Sequence, residues 1–251
     1  MIEETFAYGS SVMHRIDPRF RVVFATIFSF VAALSTRFPA LIAALILSVL
    51  LLCMARLNLL KVIKKLMAVW GFILLLWLVL PLTVKGEPLF SVGPLIFTRP
   101  GIILSLQITL KSNIILLAYI AMITTMNLAT LGHSLKRLRV PDKIIHLFLL
   151  TYRYIFVIEQ EYYRLVWAIK TRGFRPGTNR HTYRTYAYIV GMLFVRASER
   201  ANRVHQAMIC RGFKGRFYSL SKFSVIRQDW LWTSFMSLAM IVLVILEWIN
   251  I

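Results

Sequence analysis

The stretch "VPDKIIHLFLLTYRYIFVIEQEYYRLVWAIKTRGF", residues 140–174, decides the fold of this chain. Its opening Val-Pro-Asp predicts a helix start, because a proline in the first turn loses no hydrogen bond there. No helix breaker follows before Gly173. The first half (144–158) is apolar enough to lie against a bilayer, whereas the second half is amphipathic. We therefore expect one long helix at a membrane surface.

A second segment, 183–210, repeats this plan. It begins with the apolar "YAYIVGMLFV" (186–195) and is followed by Arg-Gly-Phe, as is the first segment. Superimposing the two endings pairs Arg172 with Arg211, Gly173 with Gly212, Phe174 with Phe213, Arg164 with Arg203, and Ala168 with Ala207. The sequence therefore predicts one helical unit that occurs twice.

Small residues follow one stripe of the second segment, at Ala197 and Ala201. Small side chains let two helices cross closely. Together with the paired Ala168 and Ala207, they predict where the two long helices cross.

Each Arg-Gly-Phe also predicts a helix stop. Glycine accepts the left-handed conformation that closes a helix, and the preceding arginine complements the helix dipole by at most about 1 kcal/mol. Capping alone would account for the arginine and the glycine, but not for the phenylalanine. An exposed guanidinium with five donors also suits a carboxylate-bearing groove on a partner protein. The residues alone leave both interpretations open.

The composition indicates a polytopic membrane protein rather than a soluble one. The chain has 251 residues, 59% of them hydrophobic, and a mean hydropathy of +0.70. Apolar runs predict about five transmembrane helices, at 22–36, 39–55, 66–83, 101–126 and 230–249. The Gly- and Pro-rich stretch 84–100 predicts an external loop, for which a short hairpin is one possible form.

The positive charge predicts the orientation, because Lys and Arg mark the cytoplasmic side. The chain carries a net charge of +20, and 19 of its 30 Lys and Arg lie within 133–227, beside four acids. We expect a cytoplasmic N-terminus, an outside C-terminus and a multi-pass protein of a bacterial or archaeal cell membrane. Arg21 and Arg37 are expected to snorkel at the ends of the first run. Many of the basic residues should also attract anionic membrane lipids, at roughly 1 kcal/mol each.

These observations predict an all-α polytopic membrane protein with two long cytoplasmic helices between the fourth and fifth spans. The predicted parts are an N-terminal bundle of four spans (1–132), a basic cytoplasmic module (133–227) and a last transmembrane helix (228–251). Asp17 is predicted to cap the first helix, with Pro18 at its first position, although Asp17 could equally pair with cations of the basic module. Lys111 predicts a tilted or broken fourth helix, or else a buried contact to a partner subunit.

Other chemistry is poorly represented. The chain has no Gly-x-x-x-x-Gly-Lys-Ser/Thr loop for nucleotide phosphates and no paired acids within a span for ion coupling. Its five histidines are scattered without ligand spacing. We therefore expect neither a metal site nor an enzyme active site in this chain.

Three stretches carry a family resemblance: "MIEETFAYGSSVMHRIDPRFRV" at 1–22, "LRVPDKIIHLFLLTYRYIFVIEQE" at 138–161, and the pair "AIKTRGF" and "QAMICRGF". Through them the chain resembles the T component, or energy-coupling transmembrane subunit, of energy-coupling factor transporters, specifically the CbiQ-type subunit of cobalt and nickel importers. The residues that match the family's N-terminal signature are His14, Arg15, Asp17, Pro18 and Arg19. The pair departs from the family pattern in having Thr171 and Cys210 before the arginines.

The resemblance implies a non-catalytic subunit that binds no nucleotide, nucleic acid or cofactor itself. It would join two cytosolic ABC ATPases (CbiO-like), which bind ATP, to a substrate-binding membrane subunit (CbiM-like), which binds Co²⁺ or Ni²⁺. A small CbiN-like subunit is a further possible partner. The two long helices would be coupling helices, and residues 172–174 and 211–213 would be the ATPase-coupling motifs, with each arginine entering a groove on one ATPase.

Two alternatives stay open. The same motifs suit a T component that serves a vitamin importer or several substrate-binding subunits. A different class of protein, a membrane scaffold without a transport role, could use the basic module to dock on anionic lipid or on another protein.

Overall fold

The computed structural model describes Ser11, Met13 and residues 16–84, 88–92, 95–215 and 227–248. These residues form eight α-helices and one two-stranded sheet. In chain order the elements are α1 (Pro18–Leu34), α2 (Phe38–Ala55), α3 (Leu59–Thr83), β1 (Pro88–Val92), β2 (Leu95–Thr98), α4 (Arg99–Met122), α5 (Leu128–Arg137), α6 (Asp142–Thr171), α7 (Arg180–Cys210) and α8 (Arg227–Trp248). The predicted α-helical fold class is therefore confirmed.

The described residues divide into two compact units. The first, which we call the basic unit, comprises the described residues of 135–215 and contains α6 and α7. The second, the membrane bundle, comprises the other described residues and contains α1–α4 and α8.

Four helices of the described chain are long and apolar enough to cross a membrane: α2, α3, α4 and α8. The predicted first run falls on α1, which has 17 residues. At 1.5 Å per residue this helix is about 25 Å long, somewhat shorter than the roughly 30 Å hydrocarbon core of a bilayer. Length and composition thus support four membrane spans among the described helices, and α1 is slightly too short to count as a fifth.

The membrane bundle is organised around α4, which packs against α1, α2 and α3, while α8 packs against α1 and α2. Ile114, Ala118 and Ala121 of α4 are completely buried. They belong to one apolar cluster with Phe28 of α1 and Met236 of α8. Alanines on α4 allow close approach of the neighbouring helices, as small residues do in membrane bundles.

The entry to α1 is as predicted. Asp17 is the N-cap, its side chain accepts a hydrogen bond from the Arg19 backbone N–H at 3.0 Å, and Pro18 follows at the first helical position. The cap satisfies one of the backbone donors that a helix start leaves without a partner.

Two helix predictions need correction. α3 begins at Leu59 rather than at residue 66, because Asn58 caps it by accepting from the Leu60 N–H at 3.2 Å and because lysine is a good helix former. α4 is continuous through Lys111, so it is not broken. The Lys111 ammonium instead donates to the Ala33 carbonyl oxygen at 2.8 Å, where it satisfies a carbonyl in the last turn of α1.

The stretch between α3 and α4 contains an antiparallel hairpin of β1 and β2, the form that the Gly- and Pro-rich sequence allowed. Next to it, Gly101 permits a close approach of the two helices. A Cβ atom at this position would lie 2.6 Å from the Pro81 Cα atom. A larger residue would therefore force the backbones of α3 and α4 apart.

The acid near the end of α8, Glu247, ties that helix to the turn between α1 and α2. Its carboxylate accepts hydrogen bonds from the Ser35 hydroxyl at 2.6 Å and from the Thr36 backbone N–H at 2.9 Å. Donors from the turn thus compensate the charge of Glu247 at the apolar end of α8.

Candidate functional site

The first Arg-Gly-Phe ends α6 as a helix-closing motif. Arg172 is the C-cap, and Gly173 takes a left-handed conformation with φ of +80°. The Gly173 N–H donates to the Lys170 carbonyl at 3.0 Å, and the Phe174 N–H donates to the Ile169 carbonyl at 3.2 Å. This pair of bonds is the Schellman motif, which satisfies carbonyls that the helix end leaves open.

The second Arg-Gly-Phe closes α7 with the same bonds. Arg211 is the C-cap, and Gly212 has φ of +76°. The Gly212 N–H donates to the Ile209 carbonyl at 2.9 Å, and the Phe213 N–H donates to the Met208 carbonyl at 3.0 Å. The sequence repeat is therefore also a repeat of backbone conformation.

Capping leaves the phenylalanines unexplained, but their packing in the basic unit accounts for them. The Phe174 ring lies with its centroid 6.0 Å from that of His181 and 6.1 Å from that of Tyr186, both on α7. The Phe213 ring lies 6.3 Å from that of His146 near the start of α6. Each phenylalanine thus packs against the other long helix, and α6 and α7 run antiparallel.

The arginine of each motif is more exposed than its phenylalanine. Arg172 and Arg211 are exposed. Among the residues that the structure describes, neither guanidinium has a recorded hydrogen bond or ion pair. Each helix end therefore presents five N–H donors and a full positive charge to an approaching anionic group.

The two long helices are joined at Glu161, which is 9% exposed. Its carboxylate accepts from Arg196 of α7 at 2.9 Å, from Arg200 of α7 at 3.1 Å, and from Arg164 of its own helix at 3.2 Å. The hydrogen bond from Arg196, with the positive charges of all three arginines, holds the pKa of Glu161 below its ordinary value despite partial desolvation.

The groove between α6 and α7 is lined by two of the four alanines predicted to mark the crossing. These two are Ala197 and Ala201. Ala168 and Ala207 are exposed and do not line the groove. That the four alanines mark the crossing of the two long helices stays a prediction.

The groove has a volume of about 700 Å³ and lies entirely within the basic unit. Apolar atoms make up most of its lining, which also includes the charged residues Arg196, Arg200 and Glu161. The small residues at Ala197 and Ala201 thus lie in the wall of this groove.

The N-terminal signature lies in the membrane bundle where it is described. Asp17 is buried, and its backbone N–H donates to the Asp229 carboxylate of α8 at 2.9 Å. The Arg19 Nε atom lies 3.6 Å from the Asp17 carboxylate. His14 and Arg15 lie outside the described residues. Asp17 thus joins the start of α1 to α8, and Arg19 lies beside its carboxylate.

Two further charged residues escaped sequence reasoning. Arg21 does not snorkel, because it is 1% exposed and its guanidinium donates to the Met122 carbonyl at 2.7 Å and to the Thr125 hydroxyl. Asp229 is 2% exposed. The spacing of Asp17 and Arg21, four residues apart at a helix start, is the one sequence signal that could have indicated a shared polar site.

Metal-binding side chains do not cluster in the described part of the chain. Within residues 16–84, 95–215 and 227–248, no group of three or more His, Cys, Asp or Glu side chains is placed to hold a metal ion. The features that these residues do bring together are the two Arg-Gly-Phe ends, the Glu161 contact and the groove.

Comparison with known proteins identifies the family of this chain. A family model, CbiQ, described as "Cobalt transport protein", matches residues 9–220. The energy-coupling factor transporter transmembrane protein EcfT of Acidaminococcus fermentans is 27% identical over 220 residues, which cover 82% of this chain and 81% of that protein. The cobalt transport protein CbiQ of Rhodobacter capsulatus is 34% identical over 98 residues, or 39% of this chain and 40% of that protein.

An uncharacterized protein of Methanocaldococcus jannaschii is 28% identical over 229 residues, covering 86% of this chain and 81% of that protein. The similarity therefore extends along most of the sequence. Since the family model spans both Arg-Gly-Phe ends and three of the four helices that can cross a membrane, this multi-pass membrane protein belongs to the CbiQ family, the T components of energy-coupling factor transporters.

Proposed function

We propose that this chain transmits ATP-driven motion of two cytosolic ATPases to a substrate-binding membrane subunit in an importer of cobalt or nickel ions. The observation that carries the proposal is the repeated helix end. Arg172 and Arg211 are exposed, and each is the C-cap of the same Schellman motif. The chain itself would be non-catalytic. ATP would be bound by the ATPases (CbiO-like), and the metal ion, as cargo, by the partner membrane subunit (CbiM-like).

The duplication supports a pair of ATPase contacts. Each guanidinium offers a planar set of donors that matches a carboxylate in a bidentate pair, and an ABC ATPase pair supplies two equivalent surfaces. Gly173 and Gly212 fix the direction of the chain just beyond each arginine. Two helix ends of the same conformation are thus suited to two equivalent carboxylate-bearing sites, one on each ATPase.

The long helices provide a means of transmission. α6 has 30 residues and α7 has 31, so each is about 45 Å long at 1.5 Å per residue. The phenylalanines and Glu161 hold the two helices to one another within the basic unit. Motion imposed at either tip would therefore be shared by both helices.

The test is substitution of both arginines in the assembled complex. Arg172→Ala with Arg211→Ala is expected to leave the chain in the membrane, to weaken co-purification of the ATPases and to abolish metal uptake. Arg172→Lys with Arg211→Lys keeps the charge but loses the bidentate geometry, and it should give an intermediate result. The matched control is Arg175→Ala with Arg203→Ala, which removes two other exposed arginines of the basic unit. Normal uptake by the double alanine variant would refute the coupling role of these arginines.

The cargo is tested separately. The relatives include a protein named for cobalt transport and others named only as energy-coupling factor transmembrane proteins, so the alternative is a T component of a vitamin importer. Purification of the complex and identification of its substrate-binding subunit would discriminate the two. A metal-binding subunit and uptake of Co²⁺ or Ni²⁺ are expected, whereas a vitamin-binding subunit would support the alternative.

A further inference from the structure

We propose that the groove between α6 and α7 is a binding site for one anionic phospholipid. Its phosphate would bind at Arg196 and Arg200, and an acyl chain would lie along the apolar lining. This site goes beyond the coupling role, because it requires only that the chain is in a membrane.

The lining of the groove requires an apolar occupant. Leu147 and Ile158 of α6 contribute to it, together with Val204 and Met208 of α7. Leu147 is 69% exposed and Ile158 is 44% exposed in the chain alone. Because exposed aliphatic surface is unfavourable in water, this open groove favours a ligand that covers its lining.

The dimensions suit an acyl chain. The volume of about 700 Å³ lies in the range of small-molecule sites, roughly 300–1,000 Å³. Along α6 the lining extends from Lys143 to Glu161, a distance of about 27 Å at 1.5 Å per residue. One bilayer leaflet contributes about half of the roughly 30 Å hydrocarbon core, so an acyl chain fits within this length.

The charge in the lining selects an anionic headgroup. Three cations line the groove, Lys143, Arg196 and Arg200, against one acid, Glu161. The Arg196 and Arg200 side chains are 45% and 37% exposed, and each has one recorded hydrogen bond, to Glu161. Their other N–H groups have no partner among the described residues. Phosphate oxygens accept strongly from paired guanidinium groups, and basic pockets on the cytoplasmic side of membrane proteins bind anionic headgroups.

A lipid fits these observations better than a helix of a partner protein. An apolar helix would cover the aliphatic lining, but it would leave the excess of positive charge without a counter-ion. An anionic phospholipid supplies the apolar chain and the anion in a single molecule.

The test is native mass spectrometry of the full chain in a neutral detergent, with phosphatidylglycerol or phosphatidylethanolamine of identical acyl chains. The wild-type chain is expected to retain phosphatidylglycerol several-fold more than phosphatidylethanolamine. Ala201→Phe fills the groove and should remove that preference, whereas Ala207→Phe, on the same helix but outside the groove, should keep it.

A second pair of variants tests the headgroup contact without filling the groove. Arg200→Gln leaves Arg164 and Arg196 on Glu161 and should lower phosphatidylglycerol retention several-fold, whereas Arg203→Gln, an exposed arginine outside the groove, should not. Equal retention of both lipids by the wild-type chain would overturn the proposal. So would unchanged phosphatidylglycerol retention by Ala201→Phe. If Ala201→Phe in the assembled complex also loses a membrane subunit, the groove holds a protein helix instead of a lipid.

Discussion

The Glu161 carboxylate on α6 accepts a hydrogen bond from Arg196 on α7 at 2.9 Å, across two helices that otherwise share few buried residues. Arg164 and Arg200 bind the same carboxylate. One acid therefore offsets part of the repulsion among three arginines, and the contact between the helices depends on its charge.

Replacing that acid should loosen the pair of helices. Glu161→Gln removes the negative charge and leaves three arginines close together, so we expect faster amide hydrogen exchange in the middle of α6 and α7 and a lower midpoint of thermal unfolding. The matched control is Glu199→Gln, which removes an exposed acid from α7. If the two variants exchange alike, the charge of Glu161 does not hold the helices together.

The stability that the Glu161 contact contributes should decrease as the pH falls. The pKa of Glu161 is lowered in the folded chain, mainly by the hydrogen bond from Arg196. Stability from a lowered carboxyl pKa is fully present above the unfolded value of about 4.3 and is lost as the pH falls through the folded pKa.

The measurement is the difference in unfolding midpoint between wild type and Glu161→Gln as a function of pH. We expect a constant difference at pH above about 5 and a steady loss of the difference in more acidic solution. A difference that grows as the pH falls would contradict the assigned direction.

The glycine of each Arg-Gly-Phe end should resist replacement for a conformational reason rather than a steric one. Gly212 has φ of +76°, and a Cβ atom there would meet nothing within 4 Å. Gly212→Ala should therefore cost about 1–2 kcal/mol, the penalty for a left-handed residue with a side chain. Gly191, inside α7 and equally open, is the control, since Gly191→Ala should stabilise the helix by about 0.5–1 kcal/mol. The midpoint of thermal unfolding should fall for Gly212→Ala and rise for Gly191→Ala. A shift of both midpoints in the same direction would contradict the conformational explanation.

The helix ends could be predicted from the sequence because their causes are local. A glycine after an amphipathic run identifies a Schellman end within five or six residues, and the repeat predicts that both ends share it. The phenylalanine contacts could not be derived in this way, because His146 and Phe213 are far apart in the sequence and meet only through the antiparallel arrangement.

The charged contacts were missed for a related reason. The amphipathic pattern places Glu161 off the apolar stripe of α6, which normally indicates a solvated side chain. The side chains of Arg196 and Arg200, on another helix, bind the Glu161 carboxylate. Hydrophobic periodicity carries no information about such a contact between charged residues. Arg21 presents the same difficulty, since an arginine at the edge of an apolar run looks the same whether it snorkels or is buried.

Arg21 supports the last prediction, because its burial makes it a structural part of the membrane bundle. Its guanidinium links α1 to the end of α4 by donating to the Met122 carbonyl and the Thr125 hydroxyl. Arg21→Met would leave the buried Met122 carbonyl without this donor, at a cost of about 1–3 kcal/mol. The Thr125 hydroxyl would keep its bond to the Ala121 carbonyl at 2.9 Å. We expect a clearly lower unfolding midpoint for the full chain in detergent.

The control is Arg99→Met, which removes an exposed cation at the start of α4 and should leave the midpoint nearly unchanged. Arg21→Lys separates charge from reach, because the lysine ammonium lies one atom nearer the backbone than the Arg21 Nη2 atom that donates both bonds. It should therefore restore part of the lost stability at most. If Arg21→Met unfolds at the same temperature as Arg99→Met, the contact between α1 and α4 rests on apolar packing, and the buried guanidinium contributes no net stability.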